Sequence, residues 1–273
     1  MVHSNCHTHT IYCDGKRTAE DMVKAAIEKG FYCLGFSVHS PMKSNADWTI
    51  KSEKLAEYVN EIKALQKKYA DKIEILNGIE LDSAFCNVDV SEFDYVIGSV
   101  HQFNCGGRIY DIDYTAEMLM DCCKKEFGGD LNKMAEAYYN SLCSFVCKQK
   151  PQVVGHYDLI EKFNDKGELF DDTDAEYQQI ALKYADRILE ECPDIFFEVN
   201  TGAMFRCGNM NPYPAFFILK HLAEKNAKIV ITSDAHCTEA LDFQFEKVIE
   251  ICKKAGFDCV YELRKSGFEK TEI

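Results

Sequence analysis

Two histidines one residue apart, His7 and His9, open the chain in "NCHTHTIYCDG", and Asp14 follows in the same stretch. On an extended backbone residues i and i+2 leave the same face, so both imidazoles point one way and Thr8 the other. "SDAH" repeats that spacing near the far end with Asp234 and His236. Neutral imidazole is the commonest ligand of transition metals, and carboxylates add charge and can join two ions. His39, Glu80, His101 and His156 extend the list, each directly after an apolar run. Zinc takes about four protein ligands or fewer. The nine donors therefore suit two or three divalent ions, with zinc, manganese and iron all compatible. His3 and His221 differ: one lies near the terminus and the other inside the helix-like "FFILKHLAEK".

Elements that could bring these residues together are legible as an alternation. Apolar runs at 1–6, 32–38, 72–79, 93–100, 151–155, 195–200 and 228–233, with a last one at 258–263, read as strands. Segments of helical period lie between them, near 18–29, 51–69, 115–125, 130–148, 173–190, 213–225 and 239–254. Thr18 with Glu20 and Asp21 predicts one helix start, and Thr173 or Asp174 another. Strand–helix alternation repeated in this way predicts a parallel sheet with helices outside. At this length the expected form is an imperfect or distorted (β/α) barrel, with a doubly wound open sheet as the alternative. No Pro-, Gly- or Ser-rich linker interrupts 1–273, so one domain is expected. Six of the eight histidines, with Glu80 and Asp234, fall at or just past the C-terminal ends of these strands. In parallel α/β barrels that edge gathers the chemistry, because the βα loops converge there.

Composition limits the partners. Net charge is −14 from 45 acidic and 31 basic residues, which repels nucleic-acid backbones and anionic membranes. A small anionic substrate stays compatible, since a local cation reverses the field inside a cleft. No apolar run approaches the roughly 20 residues of a membrane span, and "MVHSNCHTHT" resembles no secretion leader. A cytoplasmic protein is expected. Fourteen cysteines, scattered through apolar segments without a CxxC pair, read as reduced thiols serving as small hydrophobes. Nucleophile signatures are missing: there is no CxxxxxR loop, no GxSxG elbow and no GxxxxGK[ST] nucleotide loop.

"HTHTIYCDG", "LGFSVHS", "NGIELD", "FDYVIGSVH", "VVGHYDLI", "FEVNTG" and "SDAH" together resemble the polymerase-and-histidinol-phosphatase (PHP) superfamily, most of all its histidinol-phosphatase branch. The resemblance runs from residue 3 to about 260, with the motifs in family order. It implies a distorted (β/α)7 barrel with a trinuclear metal centre. His7, His9, Glu80 and Asp234 would hold one ion. Glu80, His101 and His156 would hold a second, with Glu80 bridging, and Asp14, His39 and His236 a third. Many members have histidine where this chain has Asp14, which makes the third site richer in oxygen.

The expected reaction is hydrolysis of a small phosphate monoester, most specifically histidinol phosphate, with no covalent enzyme intermediate. Paired ions can activate water and clamp an in-line displacement at phosphorus. Asp234, Glu80 and Arg206 are the expected catalytic residues. Arg206, in "NTGAMFR", matches a family arginine expected to grip phosphate, and a guanidinium fork suits that task. Arg108 is a second candidate. Asp158, Asp111 and Asp113 are candidates for the substrate ammonium. Two rivals stay open: a phosphoesterase of the same scaffold for nucleotide, sugar or tyrosine phosphates, and a non-catalytic metal-binding barrel.

Overall fold

The computed structural model describes residues 2–44, 46–164, 167, 169 and 171–273. Eight strands run parallel in one sheet and follow each other in chain order: β1 (Ser4–Asn5), β2 (Cys33–His39), β3 (Glu74–Asp82), β4 (Tyr95–Ser99), β7 (Val153–Val154), β8 (Phe196–Asn200), β9 (Lys228–Thr232) and β10 (Cys259–Arg264). The excluded numbers belong to a separate two-stranded hairpin, β5 (Gln102–Cys105) and β6 (Arg108–Asp111). A strand β11 (Gly267–Glu272) turns back antiparallel on β10. Sequential order excludes the doubly wound alternative, whose strand order reverses at a switch point.

Closure takes place at the C-terminal edge. Beyond β1 and β9 the chain forms a parallel bridge between Thr8 and Ala235. His9 N donates to Ala235 O at 2.8 Å, and Ala235 N donates to His7 O at 3.0 Å. At the opposite end β10 wedges between β9 and β1: Leu263 N donates to Ser4 Oγ at 3.1 Å and His3 N to Glu262 Oε2 at 2.8 Å. The result is a seven-strand barrel whose last seam is split by an eighth strand, in line with the distorted form read from the sequence.

Helices α1 (Ala19–Glu28), α2 (Leu55–Lys68), α3 (Ala116–Phe127), α4 (Leu131–Gln149), α5 (Ala175–Glu191), α6 (Gly202–Arg206), α7 (Phe216–Glu224) and α8 (Phe245–Ala255) fill the connections. Their starts follow local chemistry. Thr18 Oγ1 accepts from Asp21 N, Thr115 from Met118 N and Asp130 from Lys133 N; of the two residues predicted to open α5, Asp174 is the cap. Several boundaries differ from the pattern. The first run pairs in the sheet only at Ser4–Asn5, and Met1 lies outside the described residues. The helix expected from 213 starts at Phe216, because Tyr213 is extended and exchanges backbone hydrogen bonds with Asn200. The helix expected from 239 starts at Phe245, after a short 3-10 turn over Thr238–Ala240. The β5–β6 hairpin, α6 and β11 were not foreseen, since each is too short or too polar to stand out by period.

Apolar residues form two layers. A large cluster lies between sheet and helices, while Cys6, Cys33, Leu76, Tyr95, Ile97, Val153, Val230 and Leu263 fill the barrel interior. Tyr95 spans that interior and donates to Cys6 O at 2.6 Å. Its ring lies on Gly35 and Gly78, where any Cβ would collide with it. This plug fills the barrel interior beneath the C-terminal mouth. All fourteen cysteines are unpaired, several of them wholly buried.

Candidate metal centre

The strand ends bring the nine donors to that mouth. His7 and His9 leave β1's extension on one face, and their ring centroids are 5.1 Å apart. Four buried atoms converge: His7 Nε2, His9 Nε2, Glu80 Oε2 and Asp234 Oδ1, none of which has a hydrogen-bond partner. His7 Nε2 lies 3.3 Å from Glu80 Oε2 and 3.5 Å from Asp234 Oδ1. His9 Nε2 lies 3.6 Å and 3.0 Å from the same two oxygens. Ligands tetrahedrally arranged about 2.0–2.1 Å from zinc stand about 3.3–3.4 Å from each other. The four separations straddle that value. Unpaired buried polar atoms are costly, and a divalent cation satisfies all four at once. The residues present fit the metal that the motifs imply.

Glu80 faces two groups. Its Oε2 meets His7, His9 and, at 2.7 Å, His39 Nδ1, while its Oε1 lies 2.9 Å from His156 Nε2 and 3.5 Å from His101 Nε2. Asp14 forms the outer group, with Oδ2 3.1 Å from His236 Nε2 and Oδ1 3.5 Å from His39 Nε2. His9 approaches this group too: ligand atoms of His9, Asp14, His39 and His236 all lie within 4.8 Å of one another. The donor groups thus overlap more than the partition expected from the motifs, with His9 and His39 each facing two of them.

Electrostatics follow from crowding. Burial disfavours a charged His7, but Glu198, then Asp234 and Glu80, raise its pKa well above the ordinary imidazole value. Burial and the neighbouring His39 and His236 lower His9 to about 3. Burial also opposes ionisation of Asp234 and Glu80. Arg206 and His7 nevertheless hold Asp234 well below the usual carboxylate range, and His7, His39 and His101 do the same for Glu80. Both carboxylates are ionised and ready to ligate.

A second layer, missed from sequence, orients the imidazoles. Glu198, on β8 and fully buried, accepts from His7 Nδ1, which leaves Nε2 free to face the cluster. It also accepts from Thr232 Oγ1 at 2.7 Å, His156 N at 2.6 Å and Asn200 Nδ2 at 2.9 Å. Asp82 Oδ2 accepts from His101 N at 2.7 Å and lies 3.2 Å from its Nδ1. Carboxylates behind metal-binding histidines set tautomer and ring orientation. The available signal was a lone glutamate inside the apolar run "IFFEVN", and an aspartate closing "NGIELD".

Arg206 lies at the mouth, as expected, but its terminal nitrogens are engaged. Nη2 donates to Asp234 Oδ2 at 2.7 Å, Nη1 donates to Asp234 O at 2.8 Å, and Nη1 lies 3.0 Å from His236 Nδ1. Gly202 makes the approach possible, since a Cβ there would stand 3.0 Å from both Arg206 Nη2 and Asp234 Cβ. Asp234 itself has a left-handed backbone, φ 49°, which aspartate tolerates better than most residues. A cavity of about 310 Å³ opens over the cluster, lined also by Trp48, Asp111, Asp113, Tyr114 and Lys162.

Two expected substrate contacts lie elsewhere. Arg108, on the exposed hairpin, is 3.6 Å from Glu126 and does not line this cavity. Asp158 lines a different cavity, with Glu161 and Tyr213, and its Oδ2 accepts from Ala215 N at 2.7 Å. Burial pushes Asp158 up to about 7 and raises Glu161 well above its ordinary value. Both misplacements have one cause: each residue follows a site motif in sequence, but the hairpin and the 3-10 turn at Leu159–Glu161 carry the two side chains away.

Fold and site together define a sequentially wound α/β barrel with a histidine–carboxylate cluster at its C-terminal mouth. The chain belongs to the PHP domain family, whose model matches residues 5–202. It is 29% identical, over 92% of this chain and 92% of the relative, to a Deinococcus radiodurans protein named "Probable histidinol-phosphatase". It is 25% identical, over 90% of this chain and 98% of the relative, to the histidinol-phosphatase of Bacillus subtilis. Its fold matches the crystal structure of a Lactococcus lactis histidinol phosphate phosphatase complexed with zinc, L-histidinol and phosphate: TM-score 0.68, 21% identity, covering 97% of this chain and 98% of that one. Among the described residues no helix is long and apolar enough to cross a membrane.

Proposed function

We propose that this chain is a metal-dependent phosphate-monoester hydrolase whose substrate is histidinol phosphate, a step of histidine biosynthesis carried out in the cytoplasm. The observation that carries the reading is the convergence of His7, His9, Glu80 and Asp234 as buried, unbonded donor atoms 3.0–3.6 Å apart across the four histidine–carboxylate pairs. Relatives that bear the histidinol-phosphatase name and align over nine-tenths of the chain support the substrate.

In this reading His7, His9, Glu80 and Asp234 hold one divalent ion, Glu80, His101 and His156 a second, and Asp14, His39 and His236 a third. Zinc, manganese and iron all match these ligands. The ions supply Lewis acidity and an activated water for in-line displacement at phosphorus. Glu198 and Asp82 keep His7 and His101 turned inward. Arg206 holds Asp234 and His236 in place and puts positive charge on the cavity wall, where it favours a phosphate oxygen. The plugged barrel floor and the buried donor layer exclude bulk water from below, which strengthens each of these interactions.

Metal analysis joined to a substrate panel tests the proposal. The purified protein should retain more than one divalent ion per chain, lose activity on chelation and regain it with zinc, manganese or iron. Phosphate release should be fastest from histidinol phosphate against sugar, nucleotide and tyrosine phosphates. Inactivity on every ester with every metal would reject the hydrolase reading, while a preferred ester of another class would reject the substrate.

A further inference from the structure

We propose that Lys162 is the proton donor to the leaving alcohol. The proposal rests on the phosphate-ester reading above, which requires the departing alkoxide to be protonated and leaves the acid unnamed. Among the described residues lining the cavity, Arg206 and Lys162 are the two cationic side chains outside the proposed metal ligands. Arg206 is committed to Asp234 and His236 through both terminal nitrogens, and a guanidinium does not release its proton in proteins.

Lys162 follows the 3-10 turn Leu159–Glu161, in the same connection after β7 that carries His156. Its Nζ donates to Asp113 O at 2.7 Å and to Asp113 Oδ2 at 3.0 Å. Those bonds account for two of its three donors. The Asp113 segment is seated against the cluster by Ile112 N donating to His101 O at 3.1 Å. The ammonium is therefore anchored on the part of the cavity wall formed by the Asp113 segment.

Its neighbours on that wall cannot replace it. Burial opposes ionisation of Asp113, but Lys162 and His101 hold it below the usual carboxylate range, so it carries no proton. Asp111 Oδ1 accepts from Gln102 Nε2 at 2.9 Å. The indole of Trp48 does not titrate. Tyr114 is 72% exposed, so packing does not aim its hydroxyl.

The step balances. Water oxygen bonds to phosphorus as the bond from phosphorus to the ester oxygen breaks, and the electron pair stays on that oxygen. One proton moves from Lys162 Nζ to it, leaving a neutral amine and the free alcohol. The proton lost by the attacking water returns through solvent to the amine, and the sum is ester plus water to alcohol plus phosphate. Asp113 acts as a positioning residue, since its backbone carbonyl and carboxylate fix the ammonium through two hydrogen bonds.

The test compares two esters on the metal-loaded protein. Histidinol phosphate leaves as an alkoxide and needs an acid; p-nitrophenyl phosphate leaves as a stabilised phenolate and does not. Lys162→Met should lower kcat on histidinol phosphate by about 10²-fold or more, within the usual range for general acids. On p-nitrophenyl phosphate it should stay within about threefold, and that activity also checks folding, with Lys162→Gln as the second variant. Lys162→Arg keeps the charge but not the transferable proton and should be as slow as Lys162→Met on the alkyl ester. Equal losses on both esters, no loss on the alkyl ester, or recovery with arginine would each overturn the proposal. If the wild type ignores histidinol phosphate but cleaves glycerol phosphate, the substrate reading fails alone, and the same comparison with glycerol phosphate decides on Lys162.

Discussion

Replacing Glu198 by glutamine isolates the layer behind the metal ligands. The carboxylate accepts four hydrogen bonds, two at each oxygen: His7 Nδ1 and Thr232 Oγ1 at Oε1, His156 N and Asn200 Nδ2 at Oε2. Glutamine keeps one acceptor and turns the other oxygen into a donor. If the amide nitrogen takes the Oε1 place, two donors face it, and His7 can relieve the conflict only by moving its proton to Nε2. That proton would occupy the position from which the imidazole ligates. If the nitrogen takes the Oε2 place, the His156 backbone N–H loses its acceptor beside a second donor group. Each unsatisfied buried group costs roughly 1–3 kcal/mol, so Glu198→Gln should destabilise the fold by about 2–6 kcal/mol. Loss of an outer partner of a ligating histidine typically weakens metal binding 10- to 100-fold, or about 1.4–2.7 kcal/mol. Competition with a coloured chelator would measure that affinity, with thermal melting in parallel. Phosphate release should be low at stoichiometric metal and recover substantially in excess metal. Unchanged affinity in a folded variant, or activity that excess metal does not restore, would refute the role given to Glu198.

Glu80→Gln should be more severe, because Glu80 faces two donor groups; elemental analysis should find fewer ions per chain than in Glu198→Gln, with no recovery in excess metal. Arg206→Met removes two bonds to Asp234, each a charge-assisted or polar contact worth about 1–3 kcal/mol, and should lower kcat/KM on the order of 10- to 100-fold in steady-state assays. Asp158 gives a pH signature. Its folded pKa of about 7 lies above the ordinary 3.8, so the folded state binds the extra proton between those values and stability falls as pH rises through that window. Asp158→Asn removes the penalty and should melt higher than wild type above pH 7, by up to about 4 kcal/mol of stability. The difference should vanish toward pH 4; a constant difference across the window would contradict the burial argument.

The order and kind of elements were legible because strand runs and helical periods repeat with little interference, and because Thr18 and Asp174 cap where their side chains can reach the first turn. Boundaries failed where tertiary pairing intervened. Tyr213 reads as helix by local pattern, yet its backbone is held by Asn200. Arg108 and Asp158 do not line the cavity over the cluster for the same kind of reason: distance along the chain after a histidine does not say which way a hairpin or turn carries a side chain.

Sequence alone determined the donor types and their placement at strand ends, since imidazole and carboxylate chemistry belongs to residue identity and the i, i+2 spacing of His7 with His9 sets a common face. Only the tertiary structure decided which atoms meet. Thr8 pairing with Ala235 closes the barrel and brings two ends of the chain, 228 residues apart at Asn5 and Ser233, into hydrogen-bond contact. Glu198 meets His7 through that closure, while Asp82 meets His101 and Lys162 meets Asp113 across neighbouring connections, because a hydrogen bond depends on distance and angle in space, and local sequence carries neither for residues brought together by a sheet.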